Sequence, residues 1–397
     1  MTESLIPIRA LLAGARKKQP QLIELTQKLV RAESPSDSKA AVDACLDLAA
    51  AHAKSLSGRV KRHRQKHFGD ILEIQFGRAA PKGKASRQTL VLGHLDTVWP
   101  LGTLKSMPCR IAPDARGKSR LWGPGTLDMK AGVAMAFTAI EMLLETGPLV
   151  HGVTLLFNSE EEVGSPVSRP ITEALAQQSS AVYVLEPAQG LAYKTTRKGT
   201  GNWRLTIQGV AAHAGVDFAS GRSAVLELAR QIEKISAFTN LEKGTTVNVG
   251  VIGGGTKSNV IPAEAWADID ARVARKADGP RLEKRFAALK PTPKSGVTLH
   301  LEGGINRPPM ERSRSAVRLF RHAQSLAAEL GPEFGCDLAE AATGGASDGN
   351  FTAALGIPTL DGMGAVGEGA HAAQESILIE HLAPRTALLA AMLANQP

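Results

Sequence analysis

Three strand-length apolar runs in the first half of this chain each end on a histidine or an acid. Residues 89–92 halt at Gly93-His94, residues 153–157 at Asn158-Ser159-Glu160, and residues 181–185 at Glu186. An unbroken apolar run leaves no face for water, so such strands are covered on both sides, as in parallel sheets flanked by helices. Helical segments fall around them. Residues 21–31 place Leu22, Leu25 and Leu29 on one face, residues 38–56 are closed by Gly58, and residues 131–145 are ended by Gly147-Pro148. Residues 71–76 read as one more strand. The expectation is an α/β fold, a mixed and mostly parallel sheet flanked by helices. Ligand sites of open α/β sheets lie beyond the C-terminal strand ends, and that is where these polar groups fall.

Beyond Thr195 the texture changes to alternation. Strands at 203–208, 246–252, 265–273 and 297–301 are interleaved with helices at 223–238 and 280–289, which is the β-α-β-β-α-β order of ferredoxin-like α+β modules. The chain then returns through Asn306-Arg307-Pro308-Pro309 to helices at 313–330 and 376–395. The domain organisation expected is 1–195 and 306–397 as two parts of one larger domain, with 196–305 inserted as a compact module. The Gly253-Gly254-Gly255 run lacks the Lys-Ser/Thr of a phosphate loop and reads as a turn.

With 397 residues and 43% hydrophobic content, a two-domain chain with large cores is expected, and 4% aromatics make those cores aliphatic. The formal net charge of +9 raises nucleic-acid binding as one reading. The densest basic run, residues 59–67, has no interleaved aromatics to stack on bases, and its alternation reads better as an exposed edge strand, where Lys and Arg discourage strand pairing. Cys45, Cys109 and Cys336 are odd in number and form no Cys-x-x-Cys pair, which suits packed thiols in a reducing compartment. The first fifteen residues contain no signal-like apolar stretch, and no run approaches a membrane span of about 18 residues. A soluble, cytoplasmic protein with no nucleic-acid or membrane partner is expected.

His94 and Asp96 stand two apart, so in an extended segment their side chains point the same way. Asp96 can then take the proton of one ring nitrogen while the other faces a metal; the alternative is a polar turn after a strand. Asp128 lies in the glycine-rich segment 123–132, either as a helix-capping carboxylate or as a bridge between two metals. Glu161 and Glu162 repel each other after a buried strand, an awkward pairing unless one binds metal and the other activates water. Glu160 leaves that assignment open by one position. Glu186 is a strand-end acid or a ligand, and His371, in Gly-Glu-Gly-Ala-His, a surface-loop histidine or a ligand. Histidine and carboxylate donors of this kind suit two zinc-like ions.

Singly these signals are weak; their order is specific. Gly93-His94-Leu95-Asp96-Thr97, the Asp128 loop, Ser159-Glu160-Glu161-Glu162-Val163-Gly164-Ser165, Leu185-Glu186-Pro187 and the His371 loop together resemble the co-catalytic zinc peptidase and deacylase family. That family includes glutamate carboxypeptidase, acetylornithine deacetylase and succinyl-diaminopimelate desuccinylase. Asn306-Arg307-Pro308-Pro309, Gly344-Gly345-Ala346-Ser347-Asp348-Gly349 and Asp361-Gly362-Met363-Gly364 are most similar to the glutamate carboxypeptidase (carboxypeptidase G-type) branch.

The resemblance implies two Zn2+ per subunit, with Co2+ or Mn2+ as alternatives. It implies His94, Glu186 and Asp128 as ligands of one metal, Glu162 and His371 with the shared Asp128 as ligands of the other, Glu161 as general base, and Asp96 as the carboxylate that orients His94. A cis peptide bond follows the aspartate at the position of Asp128. His213, in Ala-Ala-His-Ala-Gly, is implied to reach a partner subunit's site, Asn259 and Arg272 to line the substrate pocket, and Arg307 to grip a substrate carboxylate. The resemblance makes 1–195 and 306–397 the catalytic domain and 196–305 an inserted lid or dimerisation domain, and implies a homodimer through that lid, acting on a small peptide or N-acyl amino acid with a free carboxylate. The function expected is a di-zinc hydrolase cleaving the amide bond of a C-terminal amino acid. An N-acyl amino acid deacylase and, further off, a non-catalytic metal-dependent peptide-binding module are the alternatives.

Overall fold

The computed structural model describes residues 8–77, 88–331 and 337–395; Cys336 lies outside them. The chain divides into two compact units, one formed by Met1–Thr196, Arg312–Ala342 and Ser347–Pro397, the other by Arg197–Glu311 and Thr343–Ala346.

The first unit is built on a six-stranded sheet in the order Arg59–His63, Ile71–Phe76, Val153–Asn158, Thr89–His94, Ala181–Val184, Thr359–Leu360. The first two pairings are antiparallel and the remaining three parallel. Thr89–His94, Val153–Asn158 and Ala181–Val184 are buried along their whole length, as unbroken apolar runs require. The basic strand Arg59–His63 sits at the sheet edge. Helices Ile8–Arg31, Ala131–Thr146 and Leu382–Ala394 pack against one another beside this sheet. The last two have no wide polar stripe, because both are buried nearly all round.

Gly132 shows how closely the layers approach. A Cβ there would lie 2.4 Å from the carbonyl oxygen of Leu185, so the first turn of the helix Ala131–Thr146 rests on the strand end that carries Glu186. Cys45 is buried and free, and Cys109 is free and partly exposed.

One helical expectation is corrected. Residues 376–395 do not form a single helix: Ser376–Leu378 is a strand and the helix spans Leu382–Ala394. Pro384 is tolerated in a first helical turn, where its missing N–H has no partner to lose, but an upstream extension would clash with its ring. Ser376–Leu378 instead pairs with Ser119–Trp122 in a small antiparallel sheet, together with Gly367–Glu368 and Arg110–Pro113. His371 lies on the loop joining Gly367–Glu368 to Ser376–Leu378.

The second unit is a four-stranded antiparallel sheet in the order Thr246–Gly254, Glu264–Val273, Gly199–Gln208, Thr298–Arg307, the strand order of a ferredoxin-like module. Its strands alternate buried and accessible residues. Leu205, Ile207, Ala265, Ala267 and Ile269 join Leu228, Ile235, Leu282 and Phe286 of the helices Ala224–Ser236 and Asp278–Ala287 in one core. Trp203 stacks on Phe286 at 4.2 Å. Among the described residues no helix is long and apolar enough to cross a membrane.

Candidate metal centre

All five expected ligands belong to the first unit and meet at the C-terminal ends of its parallel strands. His94 ends Thr89–His94, Glu161 and Glu162 follow Val153–Asn158, Glu186 follows Ala181–Val184, and Asp128 precedes the helix Ala131–Thr146. His371 arrives from the small sheet with a left-handed backbone, φ 61°, a conformation a non-glycine residue keeps only where its surroundings impose it. The peptide bond Asp128–Met129 is cis.

Asp128 is the centre of the arrangement. Its Oδ1 lies 3.2 Å from His94 Nε2 and its Oδ2 3.3 Å from His371 Nε2. Glu162 Oε2 is 3.1 Å from the same His371 nitrogen, and Glu186 Oε1 is 3.7 Å from His94 Nε2. One carboxylate therefore addresses two imidazoles, each with a second carboxylate at its side. His94, Asp128 and Glu162 can each offer a ligand atom within 4.8 Å of the others, and so can His94, Glu161 and Glu186. A tetrahedral zinc ion with bonds of about 2.0–2.1 Å sets its ligand atoms about 3.3 Å apart. The separations of 3.1–3.3 Å around Asp128 fall near that edge length, and the donor types are those of zinc sites, so the residues present fit a divalent cation.

Electrostatics agree. Burial alone would lower the pKa of His94, but its contacts with Asp128 and Asp96 hold it well above 6.5. Asp128 and Glu162 raise His371 to about 10. Burial raises Asp128, yet His371 and His94 outweigh it and hold that carboxyl well below the usual range. Burial pushes Glu162 up. The pocket concentrates negative charge on the two imidazoles, and a divalent cation answers that charge as a proton does.

Asp96 reaches His94 and does more besides. His94 Nδ1 is 3.0 Å from the backbone oxygen of Asp96 and 3.4 Å from its carboxylate. The carboxylate instead accepts from the backbone N–H groups of Glu161 and Glu162, both at 3.2 Å, and from Ser36 Oγ at 2.7 Å. Asp96 thus fixes His94 mainly through its main chain and the tandem glutamates through its side chain. Glu160 is fully buried and turned into the loop, where Oε1 accepts from Ser168 N at 2.6 Å and Oε2 from Ser159 Oγ at 3.1 Å.

Glu375 was not foreseen. Its buried carboxylate accepts from Gly125 N, Leu127 N and Asp128 N, and from the indole of Trp99. The sequence marks it by nothing more than its position four residues after His371, just ahead of a stretch that reads as helix.

The four expected substrate contacts lie in the second unit. His213 and Asn259 are neighbours and exposed: His213 pairs with Val260, and Asn259 O accepts from Ala214 N at 2.9 Å. His213 Nδ1 accepts from Gly215 N at 3.1 Å, which leaves the ring proton on Nε2 in the neutral tautomer. Arg272 and Arg307 both pair with Thr200, one from each side, in a single cross-strand row. Arg307 is buried, and Arg272 makes a two-pronged contact with Asp270 at 2.8 and 2.9 Å.

A family model described as Peptidase family M20/M25/M40 matches residues 90–395. Carboxypeptidase G2 of Pseudomonas sp. (strain RS-16) is 29% identical over 392 residues, covering 96% of this chain and 91% of that protein. Succinyl-diaminopimelate desuccinylase of Bordetella petrii is 27% identical over 332 residues, covering 80% and 83%. Among solved structures, aminopeptidase PepT of Bacillus cereus superposes with a TM-score of 0.71 at 22% identity, covering 95% of this chain and 98% of that one. The M20 family metallo-carboxypeptidase Sso-CP2 of Sulfolobus solfataricus gives 0.67 at 18%, covering 94% and 98%. With its family match spanning the cluster of His94, Asp128, Glu162 and Glu186, the chain belongs to peptidase family M20/M25/M40 and is an enzyme of the metallopeptidase/amidohydrolase type.

Proposed function

We propose that this enzyme binds two divalent cations, zinc foremost, and hydrolyses the amide bond that joins a C-terminal amino acid to the rest of a small substrate. The observation that carries the reading is the placement of Asp128, with one carboxylate oxygen toward His94 and the other toward His371. His94 and Glu186 hold one cation with Asp128; Glu162 and His371 hold the other. When bound, the cations supply a Lewis acid for the carbonyl and bring the pKa of a water toward about 7.

The chain's own groups do the rest. Glu161 takes a proton from the attacking water and delivers it to the leaving amine, a transfer worth about 10²–10⁴ in rate. Asp96 holds the Glu161 and Glu162 backbones in place. His213, with its proton on Nε2, reaches from one protomer into the other's site and donates to the developing oxyanion. Arg272 and Arg307 grip the substrate carboxylate, and Asn259 lines the pocket; a guanidinium matches a carboxylate in paired hydrogen bonds. The similarity to carboxypeptidase G2 supports release of a C-terminal amino acid. The similarity to desuccinylases favours a second reading, release of an acyl group from an amino acid.

A homodimer through the second unit completes the proposal. Thr246–Gly254 is an edge strand with Val251 and Ile252 53% and 59% exposed, and a long apolar edge is a template for pairing. Free Cys45 and Cys109 suit a reducing, cytoplasmic setting. The deciding experiment assays zinc-reconstituted and metal-stripped protein on glutamyl-terminated amides, dipeptides, and N-acetyl and N-succinyl amino acids. Zinc-dependent turnover of the terminal amides supports the carboxypeptidase reading. Turnover confined to N-acyl amino acids replaces it with the deacylase, and metal-independent turnover ends both. A monomeric mass under native conditions would remove the dimer.

A further inference from the structure

Glu375 is 1% exposed, and four N–H donors converge on its carboxylate. Oε1 accepts from Leu127 N at 2.8 Å and Asp128 N at 3.0 Å; Oε2 accepts from Gly125 N and from Trp99 Nε1, both at 2.8 Å. Its main chain adds two ties, donating to Ala372 O at 2.9 Å and accepting from Gly123 N at 3.2 Å. The side chain and the carbonyl therefore hold the Asp128 loop, while the backbone N–H holds the loop that carries His371. These are the two segments whose side chains face each other at 3.3 Å, although they lie far apart in sequence. No helix or sheet ladder takes the N–H groups of Gly125, Leu127 and Asp128; the carboxylate does.

We propose that Glu375 is a positioning residue for cation binding. It fixes the reach of Asp128 and its distance from His371, and it places a buried negative charge one peptide unit behind the shared carboxylate. The inference rests on the reading that Asp128 holds cations. An ionised carboxylate suits the donors present, since each oxygen accepts twice, and these four bonds oppose the burial that pushes the carboxyl up. A glutamine would turn an NH2 group toward two N–H groups and remove the charge.

The test measures cation affinity rather than turnover. Metal-stripped wild type, Glu375→Gln, Glu375→Asp and Trp99→Phe are titrated with Zn2+ against a chromophoric chelator, and the Co2+-loaded forms are compared by absorption spectrum. Circular dichroism and melting of the metal-free forms report the fold. Loss of outer partners of metal ligands weakens affinity about 10–100-fold; Glu375→Gln is expected in that range, with an altered Co2+ spectrum. Glu375→Asp keeps the charge but withdraws it by one methylene, and a loss of more than about threefold is expected. Trp99→Phe removes one donor of four and should stay within about threefold of wild type. Should Glu375→Gln fail to fold, Glu375→Asp decides alone. Wild-type affinity and spectrum in the folded variants overturn the inference. A wild type that binds no cation overturns the metal reading itself, and the two failures are told apart by that control.

Discussion

The two units hold their polar residues in opposite ways. In the first, most of the cluster is fixed by other parts of the chain: His94 and Asp96 are buried, Asp96 is shared by Ser36 and two backbone N–H groups, and Asp128 is held from behind by Glu375, while His371 alone of the five proposed ligands is half exposed. In the second, His213 and Asn259 are exposed, and Arg272 leans on an acid of its own strand. Groups that meet cations must stand in place before the cations arrive, because repulsion among carboxylates otherwise spreads them apart. Groups that meet a substrate can be completed by it. The contrast predicts that changes in the first unit move chemistry or metal content, whereas changes in the second leave metal content alone and move recognition and, at His213, turnover.

The sharpest break of that contrast would come from Glu161→Gln. The loss of kcat should be about 10²–10⁴-fold, with zinc content by elemental analysis unchanged, since His94, Asp128, Glu186, Glu162 and His371 remain. Near-normal turnover would remove Glu161 from the proton path. Loss of zinc along with activity would make it a ligand, a role compatible with its nearness to His94 and Glu186.

His213→Ala comes next. An oxyanion donor contributes about 10²–10³ in kcat, and His213 is not among the five proposed ligands, so zinc content and melting temperature should hold while kcat falls. An unchanged kcat would make His213 a surface histidine.

How far these roles could be read from the sequence differs between the units for physical reasons. Strand ends in the first unit were legible because a fully buried strand is apolar throughout and stops where polarity begins, as at Gly93-His94 and Leu185-Glu186. The ferredoxin-like order was legible from alternation, because one sheet face meets helices and the other does not. The small sheet that carries His371 was not, because its strands are two to four residues long, too short for any period to register. Nor was Glu375, whose burial depends on donors from Gly125, Leu127, Asp128 and Trp99, all of them distant in sequence. Asp96 was found as a polar group beside His94, but what its carboxylate holds depends on where Glu161 and Glu162 fall in space.

Arg307→Ala and Arg272→Ala test recognition in the second unit. A hydrogen bond to a charged group is worth about 1.5–3 kcal/mol, so KM for a carboxylate-bearing substrate should rise roughly 10–150-fold with kcat less affected, and an amidated substrate should not feel the change. Arg272 can leave its Asp270 partner at little cost, since such half-exposed pairs are worth about 0–1 kcal/mol, and Asp270→Ala should barely alter stability. A KM unchanged in both arginine variants would place the carboxylate grip elsewhere.

The smallest effect compares two buried carboxylates away from the cluster, Asp70 in the first unit and Glu227 in the second. Burial raises the pKa of each, but bonds outweigh it: Lys39, the Gln65 N–H and Arg64 for Asp70, and Gln231 and Thr292 for Glu227. Both folded values lie below the unfolded ones, so each group adds stability above 3.8 and 4.5 respectively, and that stability drains as pH falls from there through the depressed folded value. The partners differ in kind. Asp70 is held largely by cations, at 2.8 Å from Lys39 and 2.7 Å from Arg64, whereas Glu227 is held mainly by an amide at 2.6 Å and Thr292 N at 2.9 Å, with Arg230 farther off at 3.7 Å. Salt at about 1 M shortens the screening length to roughly 3 Å and should weaken the first set while sparing the second. Asp70→Asn should therefore cost about 1–3 kcal/mol in urea unfolding at low salt, and less at high salt. Glu227→Gln should cost a similar amount at both. Equal salt dependence in the two variants would mean that Asp70, like Glu227, is held by the direct hydrogen bond and not by the charge of its partner.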